Sequence, residues 1–319
     1  MQTIPVRSAA LSSPRTTWQR DAVDLKSLFD LRRPPGYYNA AAKVALLRRA
    51  KKPPHDELLV DFHGPEVAVA LKAAGVLLAE GEWTWRATAA GQSLLATGNW
   101  EESCWHRDSQ CDYLELELKL SAGWRLERQM LLARKDRFLF LGDALIGPNV
   151  NDPDADAVEM RAAFSLPLVD NIGWSGAPET REGSLVEGRE RRATVIAPAL
   201  PEWRSEHCHS NLEESESCLS LQQAAVGRSL FLPLWIDLDP ARARRALTWR
   251  KLTVAENLKV VPRDVAVAYR VHVGGQQWLF YRSLAPRGNR TFLGENFSSE
   301  FACLRFLPSG EGEEILSIE

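Results

Sequence analysis

The fold of this chain is decided by the stretch Tyr113-Leu114-Glu115-Leu116-Glu117-Leu118-Lys119-Leu120. Its leucines occupy every second position, and a period of two predicts a strand whose two faces differ. A turn at 121–123 leads into a second apolar segment over 124–132. The polar run 133–137 then leads into a mostly apolar segment over 138–145, typical of a strand covered on both faces. We therefore predict a meander of three antiparallel strands.

Short strand-like segments continue on both sides of this meander. They are separated by turn residues such as Gly, Pro, Asn and Asp, and this punctuation favours an all-β sandwich over alternating strands and helices. A clear hairpin is predicted where Gly274-Gly275 joins 265–273 to 277–283. The sequence thus predicts a mainly β protein, with a large antiparallel two-sheet β-sandwich over residues 55–319.

Residues 1–54 are predicted to form an N-terminal extension with one or two short helices. The segment 21–31 has apolar residues near helical spacing and is followed by Pro34-Pro35-Gly36. A second helix is predicted from Asn39, as N-cap, to Lys52, because the segment is rich in alanine and ends before two prolines.

Composition limits the classes of function. The net charge is −3 over 319 residues, with acidic and basic residues interspersed, so the basic stripe that nucleic-acid binding requires is absent. No window approaches the roughly 18 apolar residues of a membrane span, and no secretory signal is visible. Five cysteines form no dense disulfide framework. We expect a cytoplasmic protein that binds neither nucleic acid nor membranes.

Motifs for phosphate loops, dinucleotide binding, nucleophile elbows and zinc proteases are absent. The segment before the central strand has candidate catalytic residues. His106 with Asp108 or Asp112 predicts a general acid or base pair, and Tyr113 is the fourth candidate catalytic residue. A metal would accept His106, Asp108 and Cys111, although their spacing matches no known zinc module. Plain turn residues are the alternative, and we predict neither a metal nor a cofactor.

Two further features suggest ligand contacts. His207 and His209 alternate on an extended segment, so both imidazoles could meet one metal. The chain also has eleven tryptophans, and flat aromatic faces stack on sugar rings. Packing in the core is the alternative for such large side chains. The predicted ligand-binding tryptophans are Trp83, Trp85, Trp100 and Trp105.

The same region resembles the β-sandwich of heparinase II/III-type proteins. The resemblance spans about residues 57–170 and rests on Glu82-Trp83, Asn99-Trp100, Tyr113-Leu114-Glu115, Arg128-Gln129-Met130-Leu131-Leu132, and Asp136-Arg137-Phe138 to Asp143-Ala144-Leu145. It implies a large two-sheet sandwich in a protein associated with acidic polysaccharides. In lyases of that family much of the catalytic machinery lies on an α/α toroid that precedes the sandwich. Only about fifty residues of possible helix precede the sandwich here, which is too few for a toroid.

The sequence also differs from the family pattern after the strand that ends in aspartate, here 138–145 with Asp143. The family commonly supplies a histidine from the next strand, whereas 158–164 contains none, so no catalytic residue is carried over. We expect a non-catalytic, carbohydrate-associated module whose partner is an acidic polysaccharide or oligosaccharide. A polysaccharide lyase or other sugar-active enzyme, and a structural subunit of a homo-oligomer, are the alternatives.

Overall fold

The computed structural model describes residues 36–50, 52–152, 154–307 and 309–319. These residues contain two one-turn 3-10 helices, Ser121–Gly123 and Pro240–Arg242, and no helix long and apolar enough to cross a membrane. Their 26 strands, in chain order, are β1 Tyr37–Asn39, β2 Val44–Arg48, β3 Glu57–Asp61, β4 Val67–Ala73, β5 Val76–Ala89, β6 Gln92–Ser93, β7 Glu101–Arg107, β8 Cys111–Lys119, β9 Arg125–Ala133, β10 Phe138–Ile146, β11 Val158–Pro167, β12 Ile172–Gly176, β13 Gly183–Glu187, β14 Glu190–Ile196, β15 Asn211–Ser215, β16 Cys218–Gly227, β17 Ser229–Asp237, β18 Leu247–Leu252, β19 Ala255–Glu256, β20 Lys259–Val260, β21 Ala266–Val273, β22 Gln276–Ser283, β23 Arg290–Phe292, β24 Glu295–Phe297, β25 Phe301–Phe306 and β26 Gly312–Ile318.

The predicted meander forms the middle of an eight-stranded sheet. Strands β8, β9 and β10 pair antiparallel in sequence order, as predicted, and the sheet order is β12-β13-β14-β17-β10-β9-β8-β7. Every residue of β10 and of its neighbour β17 is buried. The prediction of a strand covered on both faces is therefore confirmed for β10, since only a doubly covered strand buries both sets of alternating side chains.

A nine-stranded sheet contains all the described strands before residue 100, β1 to β6, together with β11, β15 and β16. Its order is β1-β2-β3-β4-β5-β11-β16-β15, with β6 paired to β5. Strand β5 continues through Glu80-Gly81, although glycine is typical of turns. Gly81 has a φ of +136°, a conformation that favours glycine, and β5 pairs with β4 over its first half and with β11 over its second.

Two smaller antiparallel sheets follow in the sequence. The five-stranded sheet has the order β18-β21-β22-β25-β26, and the four-stranded sheet has the order β20-β19-β23-β24. The predicted hairpin at Gly274-Gly275 is confirmed as β21–β22. The described residues thus form four antiparallel sheets, and the predicted division into two sheets is not confirmed.

Three hydrophobic clusters connect these sheets. The first combines residues of the nine-stranded sheet, such as Leu58 and Phe164, with Leu114 and Leu116 of the eight-stranded sheet. The second combines the opposite face of the eight-stranded sheet, including Phe140, with the five-stranded sheet. The third joins the five-stranded and four-stranded sheets. The eight-stranded sheet therefore contributes to two cores, which explains why its central strands are apolar throughout.

The predicted helix over 39–52 is wrong. Asn39 ends β1, and its Oδ1 accepts the backbone N–H of Ala42 at 3.0 Å in a turn rather than at a helix start. Val44–Arg48 forms β2, which is fully buried and pairs in register with β3. Tertiary pairing thus overrides the helical preference of the alanines. The predicted helix over 21–31 lies outside the described residues.

Candidate functional site

The predicted cluster around residues 104–112 lies on the hairpin of β7 and β8. β7 is an edge strand of the eight-stranded sheet, and the chain reverses where the N–H of Asp108 donates to the carbonyl of Cys111 at 3.0 Å. Side chains alternate along β7. Cys104 packs towards the second core cluster and Trp105 towards the first. The hairpin therefore divides its side chains between the two faces of the sheet.

One face brings together an imidazole, a carboxylate and a thiol. His106 Nε2 lies 3.7 Å from Asp108 Oδ2, and both side chains are about 40% exposed (39% and 40%). Cys111 is fully buried, and its Sγ lies 3.5 Å from the carbonyl oxygen of Ile315. The ligating atoms of His106, Asp108 and Cys111 all lie within 4.8 Å of one another. This group, which we call the hairpin triad, has the donors that a transition metal accepts.

Asp112 points to the opposite face. Its Oδ2 accepts the backbone N–H of Arg48 at 2.8 Å, and its Oδ1 accepts from Arg134. Burial raises the pKa of this carboxyl, while these hydrogen bonds oppose the rise. Arg107 stands opposite Asp112 in the strand register, and His106 stands opposite Tyr113. His106 and Asp112 consequently do not meet, and only the predicted pair His106–Asp108 is in contact.

Tyr113 is held inside the protein. The ring is fully buried and stacks on Phe301 with centroids 5.6 Å apart. Its hydroxyl donates to Glu115 and accepts from Gln129 Nε2 at 2.9 Å. Burial, followed by the Glu115 carboxylate, raises the pKa of Tyr113 well above its usual range. The phenol therefore remains protonated and closed off from solvent, which makes it a structural group and not an accessible base.

Trp83 and Trp100 lie in the core. Both are fully buried, and the guanidinium carbon of Arg128 lies over both rings, 3.9 Å from the Trp83 ring centroid and 4.9 Å from that of Trp100. Neither ring can offer its face to a sugar, so the structure does not support the prediction of ligand binding by these two residues. Their large apolar surfaces serve packing and cation–π contacts instead.

Trp85 and Trp105 are only partly buried. Trp85 pairs with Phe164 of β11. Trp105 stacks on Tyr38 of β1, with ring centroids 5.4 Å apart and an angle of 23° between the planes. The Tyr38 hydroxyl donates to Glu102 Oε2 at 3.0 Å, and burial together with Glu102 raises the pKa of Tyr38 to about 12. The pair therefore joins the edge strands of the two large sheets.

Sequence reasoning missed three exposed or partly exposed groups. Tyr38 lies in a segment that was predicted to be an extension, so its contact with Trp105 left no sequence signal. Arg107 is exposed, and it lies on the same face of β7 as Trp105, two residues along the strand. Trp203 is 42% exposed in the loop between β14 and β15. Of these, Arg107 alone follows from the strand period once β7 is recognised.

Two other groups of metal-binding side chains are weaker candidates for a metal site than the hairpin triad. The rings of His207 and His209 meet edge to face with centroids 4.8 Å apart, but within the described residues no third ligand joins them. Glu115, Glu127 and Glu300 converge on the buried guanidinium of Arg282, which pairs with all three. The Arg282 guanidinium already takes the place that a metal ion would have among these carboxylates, so the cluster is an internal ion-pair network.

Comparison with known proteins supports the fold. No family model and no curated protein matches the sequence. Among solved structures, the heparan sulfate lyase HepC from Pedobacter heparinus aligns over 78% of this chain with a TM-score of 0.50 and 11% identity. A heparinase III gene product with methylated lysines aligns over the same share with a TM-score of 0.50 and 8% identity. The chain has a partial heparinase III-like fold.

This likeness is limited in extent. The aligned part corresponds to 42% of the length of each of the two lyases. At 8–11% identity the match shows the fold alone. The heparinase-type resemblance that the sequence motifs suggested is thus confirmed at the level of the fold.

Proposed function

We propose that this chain is a carbohydrate-binding module that contacts an acidic polysaccharide or oligosaccharide through the hairpin of β7 and β8. In this proposal the nine-stranded and eight-stranded sheets are the two halves of a heparinase-type sandwich. The support is the first hydrophobic cluster, which draws on both sheets. The polysaccharide class comes from the solved structure that aligns with the chain, which is a heparan sulfate lyase.

The stacked pair Tyr38–Trp105 is the observation that carries the proposal. Both rings are partly exposed, and their stacking fixes their orientation before any ligand arrives. A preorganised aromatic surface loses little side-chain entropy on binding. Arg107 lies beside Trp105 on the same face of β7 and is exposed, so a cation stands next to the aromatic surface. Guanidinium groups match the geometry of sulfate and carboxylate oxygens.

The test is binding to a panel of uronic-acid polysaccharides, with heparan sulfate as the sulfated member and dextran as the neutral control. We expect retardation in affinity electrophoresis by heparan sulfate. Trp105→Ala should weaken binding by about tenfold, because the loss of an aromatic contact worth about 1.4 kcal/mol corresponds to a factor of ten. Arg107→Gln should weaken binding to the sulfated member and leave any neutral binding unchanged.

The matched control is Trp203→Ala, which removes a more exposed tryptophan from another loop. Unchanged binding in this variant, together with weakened binding in Trp105→Ala, supports the hairpin as the binding site. Binding that is lost in Trp203→Ala and retained in Trp105→Ala would refute it. Circular dichroism of both variants confirms that the fold is intact.

A lyase is the second candidate, favoured by the likeness to HepC. The residues predicted for this chemistry lie apart, since Asp112 and Tyr113 are both buried and only His106 and Asp108 meet near solvent. Incubation with the same polysaccharides should therefore give no ultraviolet absorbance from unsaturated products. Absorbance that rises with wild type and disappears in His106→Gln would establish the lyase.

A further inference from the structure

We propose that His106, Asp108 and Cys111 form a zinc site that leaves a fourth coordination position open to solvent. The imidazole nitrogen, the carboxylate oxygen and the thiol sulfur of this hairpin triad lie within 4.8 Å of one another. Zinc takes N, O and S ligands in tetrahedral geometry, and three protein ligands with one open position is the arrangement found where the metal is reached by an external ligand. This inference does not depend on carbohydrate binding.

The carboxylate of Asp108 is held in place before any metal binds. Its Oδ1 accepts the backbone N–H groups of Gln110 and Cys111 at 2.7 and 2.8 Å. Oδ2 remains on the side of His106, 3.7 Å from Nε2. Hydrogen bonds that orient a ligating carboxylate in this way are typical of the outer shell of metal sites.

The thiol of Cys111 closes the inner side of the triad. It is fully buried, and its contact at 3.5 Å with the Ile315 carbonyl is weak. A coordinating thiol loses its proton to the metal, so Cys111 would bind zinc as a thiolate. The partly exposed His106 and Asp108 provide the path by which an ion reaches the sulfur.

The donor set selects the metal. A thiolate and an imidazole favour zinc over calcium and magnesium, which prefer oxygen ligands. A thiolate and a carboxylate also supply two negative charges to balance the cation. Within the described residues one other group of three ligating side chains exists, and the guanidinium of Arg282 already lies against all three of its glutamates. An arginine side chain thus already fills the cation position of that group, which leaves the hairpin triad as the candidate for a metal.

The test is metal titration of the full chain with zinc and, separately, with cobalt. We expect one zinc ion per chain by competition with a chromogenic chelator, and a thiolate-to-cobalt charge-transfer absorption in the near ultraviolet. Cys111→Ser should remove that absorption. His106→Gln and Asp108→Asn, both at partly exposed positions that tolerate substitution, should each weaken zinc binding by at least about tenfold.

Cys104→Ser is the matched control, since it removes the other thiol of the same hairpin from a half-buried position. It should retain both the stoichiometry and the cobalt absorption. The proposal is overturned if the folded chain binds no zinc, or if His106→Gln and Asp108→Asn bind zinc as tightly as wild type. It is equally overturned if the cobalt absorption is lost in Cys104→Ser and kept in Cys111→Ser.

Discussion

At the scale of single residues, Arg128 is a buried charge beside Trp83 and Trp100, two of the tryptophans predicted to bind ligand. Its Nε and Nη2 each donate to Asp143 at 2.8 Å, and its Nη1 donates to the carbonyl of Trp83 at 2.7 Å. The side chain is fully buried. A charge in such a place is retained only if it is paired and hydrogen-bonded. Here two indole rings also lie against the guanidinium.

We predict that Arg128→Leu lowers the free energy of unfolding by about 3–5 kcal/mol, because it leaves Asp143 buried without its partner. The double variant Arg128→Leu/Asp143→Leu should recover part of this loss, since it removes the unpaired charge as well. Chemical denaturation measures both values.

The exposed pair Arg161–Glu159 supplies the control. Its side chains are 63% and 61% exposed with an N–O distance of 2.9 Å, so Arg161→Leu should change stability by less than about 1 kcal/mol. Equal effects of Arg128→Leu and Arg161→Leu would contradict the structural role assigned to Arg128.

Lys251 on β18 gives a pH-dependent prediction. Burial, followed by Arg263, lowers its pKa from 10.5 to about 8. Between pH 8 and 10.5 the unfolded chain holds a proton here that the folded protein lacks, so this residue makes the folded protein more stable as pH rises. Below pH 8 the lysine is charged in the folded protein as well, so the full cost of burying this charge lowers the free energy of unfolding. Lys251→Met should therefore raise the free energy of unfolding at pH 7 by about 1–2 kcal/mol, after discounting for partial exposure.

The check is a pair of denaturation series at pH 7 and pH 10 for wild type and Lys251→Met. The advantage of the variant should shrink at pH 10. A constant advantage at both values of pH would show that the gain comes from apolar packing and not from the ionisation of Lys251.

At the scale of single elements, β10 determines how closely the central strands pack. A Cβ added at Gly142 would lie 2.9 Å from the Phe231 ring and 3.4 Å from that of Phe140. We predict that Gly142→Ala destabilises the protein by about 1–3 kcal/mol through overpacking. Gly275→Ala is the control, because no atom lies within 4 Å of its added Cβ, and it should stay within about 0.5 kcal/mol of wild type. Thermal unfolding that ranks the two variants in the reverse order would contradict this packing.

The same strands show what the sequence could predict. The alternating leucines of β8 and the apolar run of β10 are local patterns, and both elements formed as expected. The segment 44–48 carries no comparable signal, because its strand state depends on pairing with β3 across a chain reversal. Helix propensity is a weak guide where such pairing is available.

The candidate site was predictable only in part, for the same reason. His106, Asp108 and Cys111 lie close in sequence, so a hairpin brings them together. The strand register then decides which residues face them, and it places Asp112 on the other side. The partner of Trp105 is Tyr38, which lies 67 residues earlier in the chain (105 − 38 = 67). A contact between residues so far apart leaves no local pattern in the sequence.

At the scale of the whole molecule, each hydrophobic cluster combines residues from two of the four sheets. The eight-stranded sheet contributes to one cluster with the nine-stranded sheet and to another with the five-stranded sheet. Buried charges such as Arg128 and Arg282 are paired inside these layers. Of the candidate site residues predicted in 104–112, the ones that solvent can reach lie on the edge strand β7 and on the turn that follows it. We propose that this edge, and not the interior of the sheets, is where the chain meets its ligand.

One measurement tests that claim most directly: the dissociation constant for a heparan sulfate oligosaccharide, by isothermal titration calorimetry, for wild type and Trp105→Ala. We predict that the substitution raises the dissociation constant about tenfold while Trp203→Ala leaves it unchanged. A wild-type chain that binds no oligosaccharide, or a Trp105→Ala variant that binds as tightly as wild type, would contradict the account.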